Sequence, residues 1–415
     1  MSFAPRVSLI IVSRHRPEAL KRVAASLRFQ SYTNFEVILV SDAPDRNFLA
    51  EIPASENMLH LSFNQANISA ARNLGLAHAQ GEIVAFCDDD AVPDPNWLTA
   101  LVQPFESRNI ASAGGFVRGR NGFSYQWKAL TSDRFGEDMS LDIDPTVPFV
   151  EIPFDGKRFA KLQGTNCAFR ADALRAIGGF DEGFRFYLDE TDVCLRLAQA
   201  SHSAAFVNRA EVHHGFERSA LRSAARVPLS LGEIGASKRG YLEKHAAGED
   251  FSKVKERFFT EQKHRLLRLM VEGRLEPRDV PALMDTLRDG FNTPPKSTVP
   301  IQPPQIDRAF NPVKTHGKAE GIALAGGLLA SRTLTEAAQK LASRNIPVVV
   351  FRLGRNSLFH KRYFDQRGFW MQTGGVFGRS SRTDSLFRWW TLGQRTRREL
   401  KKFYAEFGVT ETQIF

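Results

Sequence analysis

Short apolar runs alternate with amphipathic stretches through the first hundred residues of the chain, which has 415 residues. The runs Val7–Val12 and Phe35–Val40 are typical of buried strands, and Gly81–Phe86 has the same character. Apolar positions with helical spacing separate them, from Pro17 to about Phe29 and from about Ser69 to Ala79. This alternation predicts an α/β fold with a mostly parallel sheet flanked by helices.

Polar side chains follow each predicted strand at the point where the strand ends. Ser13–Arg16 follow the first strand, Asp42 follows the second, and Asp88–Asp90 follow the third. Ligands of open α/β sheets bind outside the carboxyl ends of the strands. These residues are therefore expected to share one crevice.

The aspartates Asp88, Asp89 and Asp90 carry the most specific chemistry. Alternate side chains of an extended segment point the same way, so Asp88 and Asp90 are expected to converge while Asp89 faces elsewhere. Paired carboxylates suit Mg2+ or Mn2+, and substrate phosphates commonly supply further ligands. The pair predicts a metal site for a diphosphate. The alternative is an acidic turn before a helix that begins near Pro93–Pro95.

Composition and motifs argue against several classes of protein. No apolar run approaches the roughly 20 residues that span a bilayer, and the first residues do not resemble a signal peptide, which together predict a cytoplasmic location. No Gly-x-Gly-x-x-Gly or Walker loop occurs, which argues against a dinucleotide dehydrogenase or a P-loop kinase. Cys87, Cys167 and Cys194 lack metal-ligand spacing and are expected to be buried thiols.

The length of the chain predicts more than one domain. Six prolines between Pro294 and Pro312 mark a stiff connection, and the β-rich runs Gly321–Ala325 and Ile346–Phe351 then flank a helical run, which predicts a βαβ unit. The expected division is a sheet domain over 1–217, a helical extension over 218–291, a Pro-rich linker over 292–318 and a smaller α/β domain over 319–415.

Motifs in the first ~245 residues resemble those of family 2 glycosyltransferases with the GT-A fold, and their order along the chain is the same. The matching segments are Val7–Ser13, Val40–Asp42, Ala70–Leu76, the DxD-like Asp88–Asp90, and Gly178–Glu182 with Asp189–Asp192. The resemblance implies a Rossmann-like sheet, a nucleoside-diphosphate sugar as donor and Mg2+ or Mn2+ as cofactor. It covers no part of the last third.

The resemblance also implies roles for particular residues. Glu190 is expected to be the general base that accepts the proton of the acceptor hydroxyl, and Asp189 is the second choice. The residues expected to bind the nucleotide sugar are Ser13, Arg14, Arg16, Asp42, Arg72, Asp88 and Asp89. The residues expected to bind the acceptor are Gly164, Thr165, Asn166 and Asp192, and those expected to bind the metal are Asp88, Asp90, His213 and His214.

Simpler interpretations of the acids and histidines stay open. Acids at a helix start are favoured by the helix dipole, which would explain part of Asp189–Asp192 without catalysis. The acidic pair here also reads Asp189-Glu190, the reverse of the family's Glu-Asp order. Paired histidines after a strand are often polar loop residues, although the family uses a histidine at this place to complete a metal site. Of the two, His213 is slightly preferred.

The net charge of +10 is concentrated near the C-terminus, where residues 351–402 contain 13 Lys and Arg against 3 Asp and Glu. The segment from Leu386 to Phe407 reads as a basic amphipathic helix with tryptophans, which is typical of helices that lie on anionic membranes. An ordinary packed helix or a subunit interface is weighed equally. Nucleic-acid binding is not favoured, because no recognised module occurs.

The leading hypothesis is a metal-dependent, inverting glycosyltransferase. It would move a sugar from a nucleoside diphosphate to a hydroxyl of a glycan or lipid-linked acceptor, in cell-surface polysaccharide synthesis, from the cytoplasm or the inner face of the membrane. A sugar-1-phosphate nucleotidyltransferase is the first alternative, although its Gly-rich phosphate loop is missing. A non-catalytic module that binds sugar nucleotides or surfaces is the second.

Overall fold

A computed structural model describes residues 3–42, 57–215, 217–218, 221–223, 226–298, 305–315, 320–385, 388–404 and 408–415 of the chain. The predicted linker is described only in part, because 299–304 and 316–319 lie outside these ranges. Leu386, Phe387 and residues 405–407 of the predicted C-terminal helix also lie outside them. The predicted domain bounds stay a prediction.

The strands up to residue 214 belong to two sheets. They are β1 (Val7–Ser13), β2 (Phe35–Ser41), β3 (Leu59–Ser62), β4 (Ile83–Asp88), β5 (Ala91–Pro93), β6 (Ile110–Arg118), β7 (Tyr125–Trp127), β8 (Leu130–Asp133), β9 (Met139–Ser140), β10 (Phe149–Ile152), β11 (Arg158–Ala160), β12 (Asn166–Arg170) and β13 (Ser203–His214). In the described residues the larger sheet has the order β10-β13-β6-β12-β4-β1-β2-β3, with β5 on β13 and β7 on β6. The smaller has the order β11-β8-β9.

Helices cover both faces of the larger sheet and continue beyond it. They are α1 (Pro17–Leu27), α2 (Ile68–His78), α3 (Trp97–Leu101), α4 (Ala171–Ala176), α5 (Asp189–Gln199), α6 (Gly232–His245), α7 (Ser252–Val271) and α8 (Asp279–Asn292). Helix α2 begins at a capped turn, in which the side chain of Asn67 accepts a hydrogen bond from the backbone N–H of Ala70. The predicted helices near 17–29 and 69–79 are present.

The continuous apolar run of β1 follows from burial on both faces. Its neighbours β2 and β4 are both parallel to it. Leu9 and Ile11 pack in a core that includes Leu20 of α1, whereas Ile10 packs in a second core that includes Leu76 of α2. Because successive strand residues point to opposite faces, a strand between two helix layers buries apolar residues on both faces, and the buried Ser8 of β1 donates a hydrogen bond to Glu36 of β2 at 2.6 Å.

The C-terminal part forms a separate sheet from β14 (Gly321–Gly326), β15 (Val348–Gly354), β16 (Lys361–Asp365), β17 (Phe369–Gly375) and β18 (Val409–Ile414). Its order is β16-β17-β15-β14-β18, and every pair except β16 with β17 is parallel. Helices α9 (Ser331–Ala342) and α10 (Leu392–Phe403) accompany it. The predicted fold class is confirmed: an α/β sheet domain, a helical segment and a smaller α/β part.

The predicted helix near the C-terminus is shorter than the sequence indicates. It begins at Leu392, after a capping box formed by Thr391 and Gln394. Its inward face combines the buried side chains Arg395, Thr396 and Glu399 with Leu392 and Leu400, which pack on the core of the C-terminal sheet. Helix α10 thus packs on its own sheet, partly through ion pairs of Glu399 with Arg395 and Arg398, and a membrane contact stays a prediction.

The two larger sheets contact each other directly. Arg362 of the C-terminal sheet is buried and donates a hydrogen bond to Asp94 at 2.8 Å. The ring of Trp370 lies 4.7 Å from the ring of His213 on β13. The C-terminal sheet therefore supports the end of β13, which matters for the candidate site.

Gly115 on β6 is expected to tolerate no side chain. The pairing of β6 with β13 shifts register between Val207 and Glu211, and a Cβ on Gly115 would lie 1.8 Å from the carbonyl oxygen of Ala210. Gly115→Ala should lower the free energy of unfolding by about 1–3 kcal/mol, measured by denaturant titration. Gly327→Ala is the matched control, because nothing lies within 4 Å of its added carbon. Equal stability of the two variants would contradict this packing.

Candidate active site

The carboxyl ends of three neighbouring parallel strands bring the predicted polar residues to one edge of the sheet. Ser13 of β1 pairs in register with Ser41 of β2, and Val12 pairs with Asp88 of β4. Asp42 follows β2 directly and accepts hydrogen bonds from the backbone N–H of His15 at 3.0 and 3.2 Å. The predicted residues at the strand ends are therefore neighbours in the structure, and their role in binding stays a prediction.

Asp89 is buried beneath this edge. It accepts a hydrogen bond from the hydroxyl of Ser13 at 2.6 Å and forms an ion pair with Arg16 at 2.6 Å. Burial raises the pKa of Asp89, and the Arg16 guanidinium opposes that effect. The expectation that Ser13 and Asp89 contact a donor is corrected, because each is buried and they bind each other, fixing the loop that carries the neighbouring aspartates.

Asp88, Asp90 and His214 form the group that can hold a cation. One ligand atom from each lies within 4.8 Å of the others. Asp90 is buried and accepts a hydrogen bond from the backbone N–H of Glu217 at 2.8 Å, whereas the side chain of Asp88 is 31% exposed. Burial would raise the pKa of Asp90, but the hydrogen bond and charge of His214 outweigh it, and the pKa lies below its ordinary range.

His214 is held with one ring nitrogen toward the aspartates. Its Nε2 lies 3.3 Å from Oδ1 of Asp90, and its Nδ1 lies 3.0 Å from Oε1 of Gln126. If a cation were bound, the neutral tautomer with Nδ1–H donating to Gln126 would turn the lone pair of Nε2 toward the ion, in place of the proton that Nε2 shares with Asp90. The ring of Trp127 lies 5.9 Å away and is tilted by 31°. Gln126 and Trp127 thus set the orientation of the imidazole.

His213 is not part of this group, which corrects the slight preference for it. Its Nε2 lies 3.0 Å from Oδ1 of Asp94, and its ring packs edge-on against Trp370. Burial and the charge of Arg362 lower the pKa of His213 to about 4. Because adjacent strand residues face opposite sides, His214 faces the crevice and His213 faces the C-terminal sheet.

Arg72 of α2 joins the aspartates of β4 to the acidic start of α5. It is buried, forms a short ion pair with Asp189, and lies 3.8 Å from Asp88. Its guanidinium lies over the rings of Phe86 and Phe180, at 5.6 and 5.3 Å from their centroids. This position places a fixed positive charge between the two halves of the site.

Gly164 lies against the same guanidinium. A Cβ on Gly164 would meet NH2 of Arg72 at 2.4 Å. The residue therefore packs on the arginine at the edge of the site, and its contact with an acceptor stays a prediction.

Glu190 stands at the start of α5, after Leu188 in a left-handed conformation with φ of 66°. It is half-buried. Burial and the negative charge of Asp189 raise the pKa of Glu190 well above its ordinary value, while the charges of Arg72 and Lys161 act in the opposite direction. A carboxylate with a raised pKa is suited to accept a proton near neutral pH.

Asn166, which is expected from the sequence to bind an acceptor, has a structural role instead. The side chain of Asn166 is buried, donates to the carbonyls of Phe116 and Ala210 at 2.9 Å each, and accepts from Trp97 at 2.7 Å. All its polar atoms are used, so the expectation is corrected. Thr165 is also buried, and a contact between it and an acceptor stays a prediction.

Asp192 is buried as well, inside a cationic cluster. Its oxygens lie 2.6 Å from Arg196, 2.7 Å from Lys244 and 2.8 Å from His245. Burial would raise the pKa of Asp192, but these partners hold it below its ordinary range. The expectation that Asp192 binds an acceptor is corrected, because its carboxylate ties α5 to α6.

Some residues near the site, Asn64 and Arg222 among them, carry no motif in the sequence. Arg14 donates to Asn64 at 3.1 Å, and the exposed His15 forms an ion pair with Asp42 at 2.5 Å. Beyond β13, burial and the charges of Arg265 and Arg226 lower the pKa of Arg222 to about 10, and Asp90 and Asp88 oppose the shift. Signals for such residues are weak, because loop arginines and lone histidines occur throughout the chain.

Comparisons with known proteins agree with this geometry. A sequence model of "Glycosyl transferase family 2" matches residues 8–178. This segment belongs to glycosyl transferase family 2. The matched segment includes Asp88–Asp90 and Arg72, and it ends before Glu190 and His214.

Relatives of the glycosyltransferase domain include the O-antigen biosynthesis protein RfbC of Myxococcus xanthus, 27% identical over 54% of this chain and 18% of that protein. The glucosyl-dolichyl phosphate glucuronosyltransferase of Haloferax volcanii is 26% identical over 50% of this chain and 69% of that protein. The pre-mycofactocin glycosyltransferase of Mycobacterium tuberculosis is 27% identical over 54% of this chain and 47% of that protein. The chain thus spans less than half of two of these relatives.

One solved structure that is similar to this chain is the mannosyltransferase PcManGT of Pyrobaculum calidifontis in complex with GDP-Man and Mn2+. It has a TM-score of 0.44 and 15% identity, over 70% of this chain and 84% of that chain.

Proposed function

We propose that the chain is a metal-dependent, inverting glycosyltransferase. It moves a sugar from a nucleoside-diphosphate sugar to a hydroxyl of a glycan or glycolipid. The observation that carries the proposal is the arrangement of two carboxylate groups around Arg72: Asp88 and Asp90 with His214 on one side, and Asp189 with Glu190 on the other. Membership of residues 8–178 in the family supports it.

The residues of the first group fit a divalent cation. Two carboxylates and an imidazole offer three ligand atoms within 4.8 Å of one another. Carboxylates suit Mg2+ and Mn2+ alike, but an imidazole favours Mn2+ over Mg2+, so we propose Mn2+ as the preferred ion. Such an ion, when bound, neutralises charge on the diphosphate leaving group.

The side chains then divide the work of transfer. Glu190, as a carboxylate, accepts the proton of the acceptor hydroxyl while that oxygen bonds to the anomeric carbon. The bond from the anomeric carbon to the diphosphate oxygen breaks, and its electron pair leaves with the nucleoside diphosphate. Arg72 holds Asp189 in place and offers positive charge to the leaving group. Attack opposite the leaving group inverts the anomeric configuration.

The donor site is proposed to include the strand-end residues that remain accessible. Arg16 lies beside the aspartates, Arg14 precedes it in the same loop, and both are partly exposed. Asp42 follows the second strand, where a nucleotide base is expected. Arg222 places further positive charge near Asp88 and Asp90. These cations suit the negative charge of a diphosphate.

The acceptor is proposed to be a glycan or a lipid-linked sugar. Support comes from two relatives, one named for O-antigen biosynthesis and one for glucosyl-dolichyl phosphate. Among the helices that the structure describes, none is long and apolar enough to cross a membrane.

Thermal unfolding with a panel of sugar nucleotides tests the donor. A ligand that binds only the folded protein raises its midpoint, so at least one nucleoside-diphosphate sugar should do so, and more strongly with Mn2+. The panel also contains nucleoside triphosphates with sugar 1-phosphates, the substrates of a nucleotidyltransferase. Stabilisation by these alone, or by no sugar nucleotide, would overturn the proposal.

The pH dependence of turnover follows from the raised pKa of Glu190. Since the base acts as a carboxylate, kcat/KM should rise with pH and level off above a pKa higher than the ordinary value for glutamate, about 4.3. Lys161→Met should move this rise of kcat/KM to higher pH, because the charge of Lys161 lowers the pKa of Glu190. Donor binding, measured by calorimetry at each pH, serves as the control. Full activity down to the ordinary range of glutamate would contradict the assignment.

A further inference from the structure

One edge of the C-terminal sheet exposes large apolar side chains from several loops. The parallel strands β14, β15 and β17 end at Gly326, Gly354 and Gly375, so the loops that follow them lie at the same edge. The side chains that define this surface, called the apolar edge below, are Leu328, Leu329, Leu358, Phe359 and Trp389.

The degree of exposure of the apolar edge is unusual for its residue types. Leu328 is 61% exposed, Leu358 65% and Trp389 78%, and Leu329 is wholly exposed. Single exposed apolar residues are common on protein surfaces, whereas a contiguous group marks a contact with a partner or a membrane.

Contacts between the loops hold the residues of the apolar edge at one end of the sheet. A Cβ on Gly354 would lie 3.3 Å from Leu328, which places that leucine on the end of β15. The carbonyl of Leu358 accepts a hydrogen bond from the backbone N–H of Gly375 at 3.0 Å, and the ring of Trp389 lies 5.1 Å from that of Phe377, two residues later. The side chains thus belong to one surface on a fixed scaffold.

The charges around the apolar edge are positive. Arg355, Arg382 and Arg388 are exposed in the same loops, and Arg388 also stacks on Trp390 at 4.4 Å. Residues 351–402 contain three acids in all. Each is paired with an arginine: Asp365 with Arg367, and Asp384 and Glu399 both with Arg398.

We propose that the apolar edge docks the chain on an anionic membrane surface. The leucines and the tryptophan enter the interfacial region, and the surrounding arginines contact lipid phosphates. This combination complements a negatively charged bilayer, which offers both an apolar layer and anionic headgroups. The sequence-based expectation of a membrane contact is thereby moved from the helix α10 to the loops at the end of the sheet.

The apolar edge is connected to the candidate active site. Phe359 meets Phe123 at 6.5 Å between ring centroids, and Phe123 lies in the loop between β6 and β7. Strand β7 ends at Trp127, whose ring lies beside that of His214. Docking through this edge would bring the loop next to His214 toward the bilayer, where a lipid-linked acceptor is held.

Vesicle sedimentation with the full chain tests the proposal. Wild-type chain should sediment with vesicles of phosphatidylcholine and phosphatidylglycerol, less with phosphatidylcholine alone, and less as salt is raised. The triple variant Leu329→Ser, Leu358→Ser, Trp389→Ser should partition about tenfold more weakly. The control is Val271→Ser, whose side chain is 84% exposed at the end of α7, outside the apolar edge. It should bind as wild type.

Other results would overturn the membrane assignment. Wild-type chain that stays in the supernatant, or a triple variant that sediments equally, excludes this surface as the membrane contact. Light scattering measures the oligomeric state. If the wild-type chain were a dimer, the triple variant a monomer, and neither bound vesicles, the apolar edge would be the contact with a second copy of the chain. Release of nucleoside diphosphate from a water-soluble donor should be unchanged in the triple variant, so failure of docking and failure of the transfer proposal are distinguishable.

Discussion

Glu190→Gln is expected to lower turnover by about 10²–10⁴-fold while donor binding remains, because a general base contributes a factor of this size. Glutamine has nearly the same shape but cannot accept the acceptor proton. Burial and the charge of Asp189 raise the pKa of Glu190, so the folded protein already tolerates an uncharged group at this position. The variant should therefore fold. Steady-state kinetics and calorimetric titration with donor give the two quantities.

Two further variants make the Glu190 experiment decisive. Glu256→Gln, at an exposed position on α7, should have wild-type turnover. Asp189→Asn removes the partner of Arg72 and should weaken both donor binding and turnover, since it leaves a buried guanidinium without its ion pair. If Glu190→Gln retained full turnover while Asp189→Asn abolished it with donor binding intact, the base would be Asp189, the second choice.

Asp90→Asn is expected to abolish metal-dependent activity. Asp90 contributes one of the three ligand atoms. It also lies 3.3 Å from Nε2 of His214 and accepts a hydrogen bond from the backbone N–H of Glu217. Loss of a carboxylate should weaken cation binding and remove stabilisation of the leaving group, which amounts to several kcal/mol, or about 10²-fold or more in turnover. Turnover as a function of Mn2+ concentration gives the measurement.

Thermal unfolding separates a metal effect from misfolding in this series. Wild-type chain should gain stability on adding Mn2+ with nucleoside diphosphate, and Asp90→Asn and His214→Gln should lose that gain while remaining folded. Asp307→Asn, at an exposed aspartate, should keep it. His213→Gln should also keep the metal response, because His213 pairs with Asp94 on the other side of β13. A Mn2+ response that depends on His213 and not on His214 would refute the cation group.

The fold and one half of the site could be predicted because they rest on local patterns. The strands β1, β2 and β4 consist mostly of apolar residues because helices cover both faces, and Asp42 and Asp88 stand at the ends of such strands. Parallel pairing then aligns their carboxyl ends, as the registers show. The positions of these residues therefore follow from short stretches of sequence.

The remaining assignments depend on elements distant in the chain, which periodicity does not reveal. Whether His213 or His214 faces the crevice is decided by Trp370 and Arg362, more than a hundred residues later. Asp192 looks like a site acid in the sequence, but Lys244 and His245 of α6 surround it. Asn166 is enclosed in the same way, by Trp97 and backbone carbonyls.

The central claim is that this site transfers a sugar by direct displacement of a nucleoside diphosphate. Nuclear magnetic resonance of the reaction products tests it most directly. The chain is incubated with Mn2+, a sugar nucleotide that stabilises it, and a mixture of free and lipid-linked glycans. The account predicts release of nucleoside diphosphate together with a new glycoside whose anomeric configuration is opposite to that of the donor. Release of nucleoside monophosphate or pyrophosphate, or a glycoside with the donor's configuration, would contradict it.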